Sequence, residues 1–509
     1  MLILQTNDIS EKQLAQLALA IQNRWDVPTF VKMHEVVISD DDLERPEAQK
    51  LDKDFENGLS IIFENLEITA AFRLKRSSKT KFLIERIPGS ELPKWMEEIE
   101  GSARVPEGEY ECPHCVLPET LILGDNKPIA EYAVGDTAIG LTGLNPVLDT
   151  FVRPYEGEVV KIKASGMLPI TTTPEHPISS SKSQTINLHR NGKFRFQLLF
   201  SEESWIPAKD LVSKTCDTDG NYVVIPIIKG TFESYQVSLA PFIILHKPQH
   251  KGYRVNFPLT EDTAWLIGLY AAEGSATNRD VRFSLSKDED EIKVRVAEIA
   301  KQLGYSTYAG YSSVANSMLV NIPSRVLARA FDTWCGHRAF NKRIPDFILC
   351  HQDLGILRGF LYGYETGDGY TYAKVSRRSK GYRSSSTISK ILAQQLQLAY
   401  VRLGVWASVR VRDEAGESFI MGRRCQLHTK YSVSYPLNPN PKRQRVRFLK
   451  DKVLSPIRRI TTENYSGKVY NLATSDNTYL ISNALVHNCG RRYPTDIQLS
   501  MHQKLHYLV

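Results

Sequence analysis

The sequence predicts a multidomain chain. It has a small α+β head, an all-β unit in two separated pieces, a duplicated α/β unit between those pieces, and a short metal-finger tail. Three observations carry this. The length, 509 residues, allows about three domains at roughly 150 residues each. The texture switches between β-rich and helical along the chain. A finger-like ligand spacing is split across several hundred residues. The composition, 42% hydrophobic and 24% charged, is that of a folded chain and excludes a collagen, a coiled-coil rod and a wholly disordered polypeptide.

The head comes first. Ser10 and Gln13 form a capping-box pair ahead of an apolar-periodic helix through Leu14, Leu17, Ile21 and Trp25. Strands are expected near residues 31–38, 59–63, 68–74 and 81–87. Residues 101–111 are polar and turn-rich, as in a linker. From Cys115 to about Pro241, short β-rich runs alternate with turn signals such as Gly124-Asp125-Asn126-Lys127, which predicts an all-β unit. From about Leu259 helices return with an internal echo. Residues 266–274 (LIGLYAAEG) and 361–369 (LYGYETGDG) match, and each copy leads into strand-like residues and a helix ending in Leu-Gly. Two copies mean a duplicated domain, not a solenoid. After about Asp451 the β texture resumes and runs to His487-Asn488-Cys489.

Charge follows the same divisions. Residues 1–114 carry 14 basic and 22 acidic side chains, residues 489–509 carry 3 and 1, and residues 115–488 carry 47 and 34. An acidic head precedes a basic centre suited equally to phosphate binding and to a solvated surface. No apolar run reaches the roughly 18 residues of a membrane span. The opening residues lack the basic flank and apolar core of a signal peptide, so a cytoplasmic protein with no membrane association is expected. Seven scattered cysteines favour thiol or metal chemistry over disulfides.

The tail reads Cys489-Gly-Arg-Arg-Tyr493, then Leu499, His502 and His506. That is a C2H2 finger lacking its first cysteine. The missing ligand lies far upstream, in Cys112-Pro113-His114. Deleting residues 115–488 restores C-x2-C-x12-H-x3-H, the spacing of a tetrahedral zinc site with Cys112, Cys489, His502 and His506 as ligands. The 374-residue middle is therefore an insertion whose removal repairs its host.

That segment, Cys115–Asn488, resembles an intein with an embedded LAGLIDADG (dodecapeptide-type) homing endonuclease. The likeness rests on four stretches. They are Cys115-Val-Leu-Pro-Glu-Thr120, Gly166 through Thr173-Pro-Glu-His176, Trp205-Ile-Pro-Ala-Lys-Asp210-Leu211, and the closing His487-Asn488-Cys489. The resemblance implies an all-β Hint (hedgehog/intein) splicing domain, discontinuous, with a LAGLIDADG pseudo-dimer inserted in it. It also implies roles. Cys115 attacks the carbonyl before it, turning the amide into a thioester. His176 delivers a proton to the departing nitrogen and Thr173 orients the peptide. Cys489 takes over the thioester, Asn488 cyclises and cuts its own C-terminal bond, and His487 assists. No cofactor is expected for splicing. Taken singly, Cys115 reads better as a buried or metal-bound thiol, and His176 as a satisfied histidine; the splicing reading comes from their joint placement at the borders. The family often has a histidine at the position of Asn477 and an aspartate at that of Asn471, so two helpers of the later steps are expected to be missing.

Within the insertion, Gly268/Ala272 and Gly363/Gly367 are each spaced by four, which puts small residues on one helix face and lets two backbones approach. Each helix ends in an acid, Glu273 and Asp368. The resemblance implies that this pair holds Mg²⁺ for cleavage of double-stranded DNA, the intein-less host gene. Lys342, in Asn341-Lys-Arg-Ile-Pro345, is a weaker candidate for a catalytic or phosphate contact. Arg377, Arg378, Lys380 and Arg383 are expected along the DNA. The resulting boundaries are 1–111 for the N-terminal host domain, 112–114 for the first part of the finger, 115–258 and 446–488 for the two parts of the splicing domain, 259–445 for the endonuclease and 489–509 for the rest of the finger. A monomer with an internal pseudo-dimer is expected.

The joined host has 135 residues. Its finger would present Thr495, Gln498 and Met501 to bases, and protein binding is as plausible as DNA binding. Two rival readings are a DNA-binding zinc-finger regulator with a catalytically inert nucleic-acid-binding insertion, and a protein that cleaves itself without ligating. Zinc held at Cys112 and Cys115 in the precursor is expected to slow the attack by Cys115.

Overall fold

The computed structural model describes residues 2–5, 17, 29–32, 35–38, 64, 69, 72–76, 81–87 and 90–91 of the head. Beyond the head, the described residues are 114–488 except 191–192, 215–218, 244–254, 314–315, 376–379, 414–415, 421–422 and 439–444. Two compact units, Met1–Tyr110 and Glu111–Val509, divide the chain.

The described part of the first unit is a five-stranded sheet. In spatial order its strands are Thr29–Lys32, Glu35–Ile38, Leu2–Gln5, Lys81–Arg86 and Phe72–Arg76. Only the pair of Leu2–Gln5 with Lys81–Arg86 is parallel. The expected run 31–38 is two antiparallel strands, and the run expected at 68–74 lies at Phe72–Arg76. Leu2–Gln5 is a strand that the polar-punctuated N-terminus did not signal. Leu17, on the expected helix, is helical and buried; residues 59–63 lie outside the described residues.

In the second unit the two β-rich segments join in one sheet. We label its main strands β1 Leu144–Ala164, β2 Ile170–Thr172, β3 Pro177–Arg190, β4 Asn221–Pro226, β5 Lys452–Thr474, β6 Thr478–Ile481 and β7 Ala484–His487. They lie in the order β2-β1-β5-β4-β3-β7-β6. β1 and β5 pair antiparallel from Ile457↔Ala164 to Thr474↔Val147. β1 alternates exposed and half-buried residues over its middle and becomes buried near its end, the period-2 pattern of a strand leaving solvent for a core.

The helical segment is α1 Glu261–Glu273, α2 Asp290–Gln302, α3 Arg325–Cys335, α4 Asp346–Leu349, α5 Leu354–Asp368 and α6 Lys390–Arg402. Thr260 caps α1 through a full capping box, and the Asp353 side chain caps α5. The sequence echo is structural. After α1 comes an antiparallel sheet ordered Gly274–Ala276, Asp280–Ser286, Ser317–Pro323, Tyr308–Tyr311. After α5 comes another, ordered Tyr370–Val375, Lys380–Thr387, Lys430–Pro436, Ser408–Asp413. Both have the connectivity first, second, fourth, third. α1 packs on α5 backbone to backbone. A Cβ on Gly268 would collide with the Phe360 carbonyl, and one on Gly363 with the Trp265 carbonyl, so glycine is required at both.

One hydrophobic core runs through both segments, from Val116 and Ile122 through α1, α5 and α6 to Val486. α6 carries three buried glutamines, Gln394, Gln395 and Gln397. Gln395 Nε2 donates to Asn126 Oδ1 (3.1 Å), Gln397 Nε2 donates to Gly166 O (2.6 Å), and Asn483 Nδ2 donates to Gln397 Oε1 (3.0 Å). Buried amides demand partners, and for Gln395 and Gln397 these lie partly in the helical segment, at Ile344 and Ala407, and partly in the β-rich segment.

Candidate active site

The two ends of segment 115–488 meet on one strand, β5. Val116 N–H donates to Tyr470 O (2.8 Å), and Tyr470 N–H donates to Val116 O (2.9 Å). This pairing brings the His114–Cys115 peptide beside the next residue, Asn471. Asn471 Nδ2 donates to the carbonyl oxygen of His114. Its Oδ1 accepts from Leu472 N–H (2.8 Å) and from the Tyr479 hydroxyl (2.9 Å). Two donors on that oxygen decide which end of the amide faces His114. On the other side, Cys115 N–H donates to Thr173 Oγ1 (2.9 Å), and Cys115 O accepts from Thr173 N–H (2.9 Å) and from the Thr173 hydroxyl (3.1 Å). Both polar ends of one peptide are thus held by side chains.

Cys115 is 1% exposed and packs with Leu117, Val159 and Val469. Burial pushes its thiol pKa up, and the Arg153 guanidinium, hydrogen-bonded to the thiol, draws it back. Arg153 lies 5.0 Å from the centre of the Tyr155 ring. His176 is fully buried. Burial, with His114 and His487 adding repulsion, lowers its pKa to about 3, so the imidazole is neutral. Neither of its ring nitrogens makes a well-aligned side-chain hydrogen bond among the described residues, but the backbone of His114 and Cys115 lies close enough to pull its pKa back up in part. The ring thus stands beside the border peptide, where it can take a proton from one atom and give it to another.

At the other end, Asn488 is buried and its N–H donates to Asn477 O (2.9 Å). In the amide orientation that satisfies both ends, Asn488 Oδ1 accepts from Thr474 N–H (2.6 Å) and Nδ2 donates to Asn477 O (3.3 Å). His487 Nδ1 lies 2.7 Å from Asn488 O, and the His487 ring stands edge-on to Trp205 at 5.2 Å. Thr474 is three residues along β5 from Asn471, about 10 Å at the strand rise of ~3.3 Å per residue. Cys115, Thr173, His176, His487 and Asn488 are therefore gathered at one end of the sheet. Cys112, Cys489, His502 and His506 lie outside the described residues, as do Thr495, Gln498, Met501, Arg377 and Arg378.

Asn471, read from sequence as a missing helper, is hydrogen-bonded to the border carbonyl. Asn477 contributes through its backbone carbonyl, at φ 58°, a left-handed conformation that asparagine tolerates. The expected zinc brake at Cys115 meets an obstacle: a thiol that is buried and already beside the Arg153 guanidinium is a poor place for a second cation. Arg153, Tyr479 and Thr474 gave no signal in the sequence, because their partners Cys115, Asn471 and Asn488 lie 38, 8 and 14 positions away with no motif spacing to mark the contact.

Glu273 and Asp368 end α1 and α5. A Cβ on Gly367 would lie 2.7 Å from Ala272 Cβ and 2.8 Å from Glu273 Cγ, so the Glu273 side chain rests on the end of α5. Burial raises the Glu273 pKa, with Glu289 adding. Burial and then the charge of Glu273 raise that of Asp368 to about 7. Two hard oxygen donors, both held above the usual carboxylate range and one of them by the charge of the other, fit a divalent cation such as Mg²⁺. Asp368 and Lys342 line a cavity of about 450 Å³. Lys342 is itself nearly buried, and its Nζ donates to Tyr270 O and Gly274 O, each at 3.0 Å. It ties down the C-terminal end of α1 rather than reaching freely into the cavity.

No known family profile matches the chain. Among curated proteins it is similar to the ATP-dependent DNA helicase Hel308 of Thermococcus kodakarensis, 27% identical over 74% of this chain and 36% of the relative. It is similar to an iron-sulfur cluster assembly SufBD family protein of Mycobacterium tuberculosis, 28% identical over 72% of this chain and 41% of the relative. It is also similar to the DNA-directed RNA polymerase subunit Rpo1C of Methanocaldococcus jannaschii, 25% identical over 54% of this chain and 30% of the relative. The chain thus spans less than half the length of each of these relatives. Solved structures similar to part of it include mesophilic variants of the homing endonuclease I-DmoI (12% identity, TM-score 0.26, 35% of this chain and 90% of that one). Another is I-DmoI in complex with DNA and Mn (15% identity, TM-score 0.25, 35% of this chain and 91% of that one).

Proposed function

We propose that the chain is a precursor from which residues 115–488 excise themselves, joining His114 to Cys489. The observation that carries this reading is the grip on both border residues from one strand: Asn471 on the His114 carbonyl, and Thr474 on the Asn488 amide. In the first step Cys115 Sγ bonds to the His114 carbonyl carbon, the bond from that carbon to Cys115 N breaks, and the thiol proton ends on the new amine. Neutral His176 is the carrier. Negative charge developing in the pocket raises its affinity for the proton, which it then passes to Cys115 N. Cys489 Sγ next displaces Cys115 from the thioester. Asn488 Nδ2 bonds to its own carbonyl carbon, assisted by His487 on that carbonyl oxygen; the bond from that carbon to Cys489 N breaks, and one Nδ2 proton ends on the released Cys489 amine. An S-to-N shift leaves a peptide and a repaired C-x2-C-x12-H-x3-H finger.

The relatives support the insertion reading. Their names span a helicase, an iron-sulfur assembly protein and a polymerase subunit, and each is matched over a minor part of its length. A mobile element lodged in unrelated hosts leaves that pattern. For the helical segment the reading is a DNA endonuclease of homing type. Glu273 and Asp368 would hold Mg²⁺, which supplies an activated water and charge neutralisation at phosphate. The host is a small zinc-finger protein, with Zn²⁺ on Cys112, Cys489, His502 and His506.

The test is to express the full chain and weigh the products. Splicing yields a 135-residue ligated protein and a 374-residue fragment. Recovery of intact precursor alone overturns the reading. Cleavage products without the ligated protein favour self-cleavage over splicing.

A further inference from the structure

Resting on that reading, we propose that Asn471 is the oxyanion donor for the first acyl shift, and that Tyr479 is the residue that aims it. An aspartate here would be an acceptor and would repel a negative oxygen. An amide can donate, but only if its nitrogen faces the carbonyl. Leu472 N–H and the Tyr479 hydroxyl both donate to Asn471 Oδ1, at 2.8 and 2.9 Å. The nitrogen is left for His114 O, which it reaches.

Tyr479 is fully buried, which holds its hydroxyl in the protonated, donating form. Its ring stands edge-on to His176, with centroids 6.4 Å apart, so one side chain positions the oxyanion donor and walls the proton carrier. When Cys115 Sγ adds to the carbonyl carbon, the C–O double bond becomes a C–O⁻ single bond. A donor already in place then needs no reorganisation. Asn471 is thus a catalytic residue of the N-terminal border, and Tyr479 a positioning residue.

The experiment uses the full chain with Asn488→Ala and Cys489→Ala, which leaves only thioester formation. Release of residues 1–114 by added thiol is followed by mass. Asn471→Ala is expected to slow release about 10²- to 10³-fold, the usual loss on removing one oxyanion donor. Asn471→Asp should be slow at pH 8 and recover toward pH 5, where a protonated carboxyl can donate. Tyr479→Phe should give a smaller loss of the same kind, with no such recovery at low pH.

A second arm separates role from fold. In a Cys115→Ala background, release of residues 489–509 by Asn488 cyclisation should fall far less in the Asn471→Ala variant. Equal losses at both borders, or an Asn471→Asp rate that does not depend on pH, would overturn the proposal. If the unsubstituted chain forms neither thioester nor ligated product, the splicing reading itself fails; if it splices and Asn471→Ala splices equally fast, only this assignment fails.

Discussion

His487 Nδ1 lies 2.7 Å from the carbonyl oxygen of its own chain neighbour, Asn488. Trp205 provides the support by stacking edge-on against the imidazole at 5.2 Å. A donor on that oxygen makes the carbonyl carbon a better target for the Asn488 amide. We expect His487→Ala to slow release of residues 489–509 by about 10²-fold or more, the low end of general acid–base contributions. Thioester formation at Cys115 should change much less. Time courses of both cleavages, weighed separately, check this; equal slowing would remove His487 from the chemistry.

If Cys115 is the nucleophile proposed above, Arg153 should set the pH at which it works. Burial raises the thiol pKa, and the guanidinium beside it counters that rise. Arg153→Met keeps the packing on Tyr155 and removes the charge, so the thiol pKa must climb. The rate of thioester formation should fall near pH 7, and its rising limb should move to higher pH. A rate profile from pH 6 to 10, read as thiol-induced release of residues 1–114, measures the shift. An unmoved limb would mean that Arg153 leaves the thiolate unaffected.

What could be read from sequence was local or periodic. Small residues four apart announced the contact of α1 with α5, because a helix repeats its face at that spacing. The broken finger spacing marked the borders. The long-range partners were not legible. Asn471 and His114 are 357 positions apart, and only the pairing of Val116 with Tyr470 brings them together. The direction of the Asn471 amide was not legible either: an amide can donate or accept, and which it does here depends on Tyr479 and Leu472. Lys342 was visible as a cation but not as a tether, since its partners are backbone carbonyls at the end of α1.

The carboxylate pair makes the fold sensitive to pH in a defined direction. Asp368 has a folded pKa of about 7, against about 3.9 when unfolded. Between those values the folded state holds a proton that the unfolded state has lost. The stabilising contribution is therefore complete below about pH 4 and is lost as pH rises through 7. Mg²⁺ competes with that proton, so its affinity should rise with pH until about 7 and then level. Glu273→Gln removes the neighbouring charge, lowers the Asp368 pKa, flattens the pH dependence and abolishes DNA cutting. Denaturant midpoints from pH 5 to 8, with and without Mg²⁺, read all but the last, which a plasmid-cutting assay reads. Buried His176 acts in the opposite direction below about pH 6.5, so the comparison is with Asp368→Asn: a midpoint profile that this variant leaves unchanged in the absence of Mg²⁺ would contradict the assignment.

The shared core argues that the helical segment is not simply detachable. Gln397 on α6 donates to Gly166 O (2.6 Å) and Ala407 O (2.7 Å) and accepts from Asn483 Nδ2 (3.0 Å). Asn483 sits in the turn between β6 and β7, with φ 70°. That turn joins the strand bearing Tyr479 to the strand ending at His487 and Asn488. Gln397→Ala removes this partner from three groups, but Gly166 O keeps Val409 N–H and Asn483 Nδ2 keeps Gln394 O, so the main loss is at the buried Ala407 carbonyl. At about 1–3 kcal/mol for one unsatisfied buried group, the cost should be about 1–3 kcal/mol. The turn should loosen with it, so splicing should slow although Gln397 lies outside the border chemistry. Glu273→Gln, at the far end of α1, should leave splicing intact. Unfolding midpoints and yields of the 135-residue product for the two variants decide the matter. If Gln397→Ala lowers the midpoint by the expected amount but leaves the splicing rate untouched, then the helical segment supports the fold without supporting the site, and α6 is only a packing element.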